Sequence, residues 1–127
     1  MAHSMNKVFL LGNLGADPEL KRFPSGDAFL TVRLATDEAY KDDEDNWQTR
    51  PEWHNVVLAG PRAERLAVIL KKGDRIMVEG RVTTRAVEGE DGKKRYFTDI
   101  RARDIVLAGG PASRGDRPEV AATAALN

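Results

Sequence analysis

The sequence EWHNVVLAGPRAERLAVILKKGDRIMVEGRV, residues 52–82, contains three successive elements that differ in periodicity. Its first eight residues alternate as in a half-buried strand, with Val56 and Leu58 on one face and Trp53 on the other. A Gly-Pro pair then ends the strand, and apolar residues spaced i, i+3, i+4 and i+7 predict a short amphipathic helix that stops near Gly73. The remaining residues alternate again, so we predict a strand, a helix and a strand.

Three more stretches with strand character flank this segment, at residues 7–14, 28–36 and 95–107. The polar residues between the second and third strands are predicted to form a loop. An Asp-Gly pair precedes the last stretch and favours a hairpin. Five strands with one short helix between the third and fourth follow the order of an OB-fold. We therefore predict an all-β fold, a five-stranded Greek-key barrel.

The chain has 127 residues, which suits one domain, and we assign that domain to residues 5–108. Residues 1–4 precede a second methionine, Met5, and we interpret them as an expression scar or leader. Residues 109–127 are rich in Gly, Pro, Ala and Ser with little apolar bulk, so we expect a disordered C-terminal tail.

Charge is balanced overall, with 20 basic and 20 acidic residues, but it is unevenly distributed. Residues 37–45 hold six acids and one base, so the rest of the chain is mildly basic. The absence of cysteine excludes disulfides and thiolate zinc sites. No apolar run reaches the roughly 18 residues of a membrane span, and we expect a cytoplasmic protein with no membrane partner.

An unpaired nucleic-acid strand presents base faces, on which aromatic rings stack, and a line of phosphates, which Lys and Arg follow. Trp53 lies opposite the strand's apolar face, and Tyr40 and Trp47 lie in or beside the polar loop. The basic candidates are residues on the outer faces of strands two and four and at the end of the helix: Arg33, Arg81, Arg85, Lys71 and Lys72. The alternative is that Trp53 completes the core or a subunit contact and that Trp47 is an incidental loop residue.

Catalytic and metal-binding interpretations find little support. No nucleophile elbow or phosphate-cradling glycine loop is present, and we expect no cofactor and no metal. The acidic run lacks the ligand spacing of an EF-hand and is most simply a hydrated loop. One enzymatic alternative stays open, a metal-dependent nuclease that uses Asp42, Asp43 and Asp45.

Five stretches, MNKVFLLGNLGADPEL, LATDEAYKD, EWHNVVLAG, LKKGDRIMVEGRVTTR and GKKRYFTDI, together resemble the bacterial single-stranded DNA-binding protein family from Met5 to about Leu107. The resemblance implies an OB-fold, assembled as a homotetramer, that wraps single-stranded DNA with little sequence preference. It also implies a role in DNA replication, recombination and repair at the nucleoid.

The resemblance assigns roles to individual residues. Trp53 falls on a stacking tryptophan of the family, and Tyr40 falls where another tryptophan is common. His54 matches a position linked to subunit assembly. Basic positions along the DNA path of family members are matched by Lys7, Lys72 and Arg85, and we add Arg62, which follows Pro61 where a lysine is frequent.

The chain also departs from the family. Ala59 and Val87 stand where family members carry stacking aromatic residues, and Asn55, Thr83 and Ala86 replace basic ones. Family members end in an acidic tip that recruits replication and repair proteins, whereas this chain ends AATAALN, so we expect no such recruitment by this sequence. Either the chain is shortened, or the protein coats DNA without that recruitment.

A second alternative function is an OB-fold subunit that docks a replication protein and touches DNA only weakly. The missing aromatic residues and the acidic run favour it.

Overall fold

The computed structural model of the protein describes residues 3–110. Its elements in chain order are β1 (Val8–Leu14), β2 (Glu19–Arg22), β3 (Ala28–Lys41), β4 (Trp47–Ala59), α1 (Pro61–Ile69), β5 (Arg75–Glu88) and β6 (Lys94–Gly109). In this part of the chain no helix is both long enough and apolar enough to cross a membrane.

Five strands close into a barrel in the order β1-β5-β6-β4-β3, and the end of β1 returns to pair with β3. Asn13 pairs with Ala35 at this closure. A Cβ atom at Gly12 would lie 2.2 Å from the Ala35 carbonyl oxygen, so only glycine allows the two strands to approach here. With α1 between β4 and β5, the predicted OB-fold is confirmed.

The barrel interior is aliphatic. Its buried hydrophobic residues come from every barrel strand, from α1 and from the residue that caps α1: Leu14, Ala28, Leu30, Val32, Leu34, Val56, Leu58, Ala63, Leu66, Leu70, Ile76, Val78, Ile100 and Ile105. The apolar faces of the second and third predicted strands, and that of the predicted helix, point into this interior. None of the eight aromatic residues of the chain belongs to this core. Burial inside the barrel therefore does not explain the aromatic residues.

The polar loop predicted between the second and third strands is mostly strand. Residues 37–41 continue β3 and residues 47–51 begin β4, and their pairing leaves only residues 42–46 as a turn. We call residues 37–51 the β3–β4 arm. The prediction was wrong because both faces of the arm are largely exposed, so its sequence shows no alternation of polarity.

A sixth strand, β2, was also not predicted. It has four exposed residues and pairs with β3 on the outside of the barrel. Backbone pairing holds it, and a strand of four exposed residues with one apolar member, Leu20, carries no periodic signal. At the other end β6 runs to Gly109, two residues beyond its predicted end, and the expected disordered tail otherwise lies outside the described residues, as do the first two residues of the expected leader.

Candidate nucleic-acid interface

A groove of about 680 Å³ crosses the outer face of the barrel between β2, β3, β4 and β6. Half of the chain's aromatic residues line it, namely Phe23, Phe29, Trp53 and Phe97. Its charged lining consists of four bases, Lys21, Arg33, Arg85 and Arg101, and three acids, Asp17, Glu19 and Asp99. The structure thus gathers exposed rings and positive charge on one surface.

Trp53 is held in this groove while 46% of its surface stays exposed. A Cβ atom at Gly15 would lie 2.3 Å from the Cζ3 atom of Trp53, so the ring packs directly on that glycine. The Arg33 guanidinium carbon lies 5.4 Å from the Trp53 ring centroid, within the range of a cation–π contact. These contacts fix an exposed indole on the barrel surface beside a positive charge.

The floor of the groove contains a buried acid, Asp99, whose exposed fraction is 7%. One carboxylate oxygen accepts a 2.7 Å hydrogen bond from the Asn55 side chain, and the other accepts one of 2.7 Å from Arg85 Nε. The Arg85 guanidinium also lies 4.8 Å from the Phe97 ring centroid. Asp99 therefore ties β4, β5 and β6 together and fixes Arg85, while it neutralises part of that residue's charge.

A second hollow of about 400 Å³ continues the groove, because Val57 and Arg101 line both. It contains four bases and one acid: Lys7, Arg81, Arg101, Arg103 and Glu79. Lys7 lies 3.5 Å from Glu79 and Arg103 lies 3.9 Å from it. Arg81 and Arg101 are directly opposite each other on β5 and β6. Like charges opposite each other repel, and an anion between them relieves that repulsion.

The other two predicted rings lie on the β3–β4 arm and line neither hollow. Tyr40 has the Arg50 guanidinium 4.9 Å from its centroid, and Trp47 has the Lys41 ammonium 5.3 Å from its own. Strand alternation puts Trp47 on the same face of the arm as Trp53, and Tyr40 on the opposite face. The structure therefore does not bring Tyr40, Trp47 and Trp53 into one site.

Two predicted basic residues have structural partners. The Arg62 guanidinium donates to Asp104 and, at 3.0 Å, to the carbonyl oxygen of Ile105, which anchors α1 to β6. The backbone amide of Lys72 donates to Asp17 at 2.7 Å, and that acid lines the groove. Neither Arg62 nor Lys72 lines the groove or the second hollow.

His54, the predicted subunit-contact residue, is half-buried on β4. Its Nε2 atom lies 2.9 Å from the Thr36 hydroxyl, which is a hydrogen bond across the β3–β4 pair. This bond fixes the imidazole orientation within the subunit.

The acidic turn at the tip of the arm uses Asp42 to hold its backbone. One Asp42 oxygen accepts from the amides of Glu44 and Asn46, each at 2.9 Å, and the other accepts from Gln48 at 3.0 Å. These bonds, that from Asn46 foremost, lower the pKa of Asp42. Within residues 3–110 no three acidic or histidine side chains are grouped to hold a metal ion. The turn therefore offers the nuclease alternative no metal site within these residues.

Sequence reasoning missed several residues of the groove. Phe29 shares the exposed strand face with Arg33, so its alternation could have indicated an outer ring. Phe97 and Phe23 carried no comparable signal, because periodicity does not identify the inner face of an isolated strand or turn. Gly15 and Asp99 were missed because their roles depend on contacts with residues distant in sequence.

The chain is similar to known proteins over most of its length. Residues 5–108 match the single-strand binding protein family. The chain is 40% identical over 116 residues to single-stranded DNA-binding protein 1 of Chlorobaculum tepidum, covering 91% of this chain and 72% of that protein. It is 44% identical over 110 residues to the single-stranded DNA-binding protein of Xanthomonas campestris, covering 87% of this chain and 64% of that one.

Solved structures show the same fold. The single-stranded DNA-binding protein of Thermus aquaticus, in a deletion mutant, superposes with a TM-score of 0.74 at 37% identity, over 90% of this chain and 55% of that one. The Plasmodium falciparum protein, solved in complex with single-stranded DNA, also gives 0.74, at 27% identity, over 84% of this chain and 97% of that one. The barrel, the exposed rings and the match over residues 5–108 lead to one conclusion: the chain belongs to the single-strand binding protein family.

Proposed function

We propose that this protein binds and protects single-stranded DNA with little sequence preference during replication, recombination and repair. One observation carries the proposal, namely that four of the eight aromatic residues share an outer groove with four basic residues. Exposed rings stack on any base, and guanidinium and ammonium groups neutralise any phosphate, so such a surface is tolerant of sequence. Membership of the family and the relatives' names support this ligand.

The proposed site has a centre and extensions. Trp53 stacks on a base, and Arg33 and Arg85 contact phosphates beside it. Lys7 and Arg81 continue the phosphate path in the second hollow.

Tyr40 and Trp47 bind a strand that continues onto the β3–β4 arm. Lys72 and Arg62 line neither hollow and add long-range positive potential, that of Arg62 reduced by its ion pair with Asp104.

The protein acts by binding alone, without catalysis and without a cofactor. Its proposed ligand is chromosomal DNA, so we place its action at the nucleoid in the cytoplasm.

We further propose a homotetramer, in keeping with the family, with His54 near a subunit contact. Phe9 and Leu11 support assembly, because both are exposed on the outer face of β1 and 63% of the Phe9 surface is accessible. Exposed apolar residues grouped on one strand are typical of interfaces between subunits.

Titration with oligo-dT tests the function. Binding should quench tryptophan fluorescence, and the affinity should fall as salt rises because each neutralised phosphate releases counterions. Trp53→Ala should weaken binding by about 1–3 kcal/mol, the contribution of one base–aromatic stack. An unchanged signal at low salt would overturn the proposal. Equal affinity for oligo-dT and duplex DNA, together with capture of a replication protein, would favour the docking-subunit alternative.

A further inference from the structure

Phe23 and Phe29 form a stacked pair at the β2 side of the groove. Their ring centroids are 4.4 Å apart and their planes differ by 26°. Both rings line the groove, neither belongs to the buried core, and 37% of the Phe23 surface is exposed. Two apolar rings, one exposed and one half-buried, therefore line a groove that already contains Trp53.

The pair is held rigidly. Phe29 lies within β3, paired with Lys21 of β2 on one side and with Ala59 of β4 on the other. Phe23 follows β2 in a turn, where its amide donates to Asp27 at 2.9 Å and its carbonyl accepts from Gly26 at 2.8 Å. A ring whose backbone is fixed before binding loses little conformational entropy when a base stacks on it.

Phe29 is half-buried and lines the groove. Its cross-strand neighbour Ala59 is exposed and has no side chain long enough to cover the ring. Ala59 also lines the second, basic hollow, so the Phe29 ring stands between that hollow and the main groove. On the other side Lys21 supplies a positive charge that also lines the groove. Rings beside basic groups in an open channel are the arrangement that binds unpaired strands.

We propose that Phe29, backed by Phe23, is a second platform on which a base of single-stranded DNA stacks. The strand partner of Trp53 on β3 is Ala35, which lies about 20 Å along the strand from Phe29 at 3.3–3.4 Å per residue. A strand that stacks on both rings crosses the outer face of β3 and β4 from the Phe29–Ala59 pair to the Ala35–Trp53 pair. The inference rests on the proposed function, because it names a further contact for the same ligand.

Affinity for fluorescently labelled oligo-dT, measured by anisotropy, gives the first test. Phe29→Leu removes the ring but keeps apolar bulk, and it should weaken binding about fivefold or more. Phe29→Tyr keeps a stacking ring and should bind like the unsubstituted protein. Tyr96→Leu removes an exposed ring of β6 outside the groove and is the matched control, with no change expected. Urea unfolding of each variant shows whether the fold is kept.

A fluorescence reporter separates stacking from effects on the fold. Trp47 and Trp53 are the only tryptophans, so Trp47→Phe and Trp53→Phe combined with Phe29→Trp leave one indole, at position 29. Saturating oligo-dT should quench it. The same background with Tyr96→Trp instead should show no quenching. Anisotropy of the labelled DNA confirms saturation in both proteins.

The outcomes distinguish the two ideas. If the unsubstituted protein fails to bind oligo-dT, the proposed function fails. If it binds, but the indole at position 29 is not quenched at saturation, the platform is refuted while the function stands. Where the affinity and fluorescence tests disagree, quenching decides, because a change in the fold lowers affinity without placing a base on the ring.

Discussion

Gly15 lies directly against the Trp53 ring, so close that an added Cβ atom would be 2.3 Å from Cζ3. The contact joins the turn after β1 to the middle of the outer face of β4. The orientation of the exposed indole therefore depends on the absence of a side chain at position 15.

Gly15→Ala should therefore displace the Trp53 ring and weaken oligo-dT binding, with the full loss of a stack, about 1–3 kcal/mol, as the upper limit. The emission maximum of Trp53, read in a Trp47→Phe background, should shift as well. Gly89→Ala is the control, because the closest atom to a Cβ there is the end of the flexible Asp91 side chain, at 2.8 Å, and the nearest backbone atom is at an ordinary contact distance of 3.6 Å. Unaltered affinity in Gly15→Ala would show that the indole tolerates displacement.

Arg33 should contribute one phosphate contact, because its guanidinium lines the groove beside Trp53. Arg33→Ala should reduce the slope of log affinity against log salt by about 0.7, the value for one phosphate on a single strand. Arg65 is an exposed base on α1 that lines neither the groove nor the second hollow, so Arg65→Ala should leave the slope unchanged. A slope in Arg33→Ala equal to that of the unsubstituted protein would remove Arg33 from the phosphate path.

Asp99 should stabilise the fold and, at the same time, weaken DNA binding, because its negative charge makes the groove less positive. Asp99→Asn weakens the bonds with Asn55 and Arg85 and should lower the free energy of unfolding by about 1 kcal/mol. It also removes a negative charge and frees that of Arg85, so DNA binding at low salt should become tighter. Glu64→Gln loses an ion pair with Arg22, and because neither residue lines the groove or the second hollow, affinity should be nearly unchanged. Urea unfolding and anisotropy measure the two effects, and weaker binding by Asp99→Asn would contradict the electrostatic argument.

The tip of the β3–β4 arm should respond to acid through Asp42. Because its hydrogen bonds lower the pKa below the ordinary value of 3.8, they stabilise the turn fully above that value. This stabilisation is lost as the pH falls through the lowered pKa. Amide hydrogen exchange at Glu44 and Asn46 should accordingly be unchanged between neutral pH and mild acid and should accelerate only in strong acid, after correction for intrinsic rates. Asp42→Asn should loosen the turn at neutral pH, and Asp43→Asn should not.

The proposed assembly predicts a light-scattering mass of about four times the 14.0 kDa chain. Phe9→Lys places a charge on the exposed face of β1 and should shift the mass downward, because a buried, unpaired charge opposes association. Ile69→Lys, on the exposed part of α1, is the control for an added lysine. A monomeric mass for the unsubstituted protein would refute the assembly.

The barrel could be predicted from the sequence alone. The strand at residues 28–36 and the helix between the third and fourth predicted strands follow from local rules of strand and helix geometry, and the structure confirms both. The sequence also indicated Trp53 as an exposed ring. These features are readable because each repeats a simple pattern within one element.

Which residues share the groove depends on how the strands pair in three dimensions. Phe23, Phe29, Trp53 and Phe97 come from the turn after β2 and from three strands, and they meet because the strands are paired in one register. The same pairing places Tyr40 and Trp47 on the β3–β4 arm. It also brings the side chains of Asn55 and Arg85 to Asp99. Cross-strand neighbours are distant in sequence, so no local pattern records them, and the pairing of strands supplies the missing information.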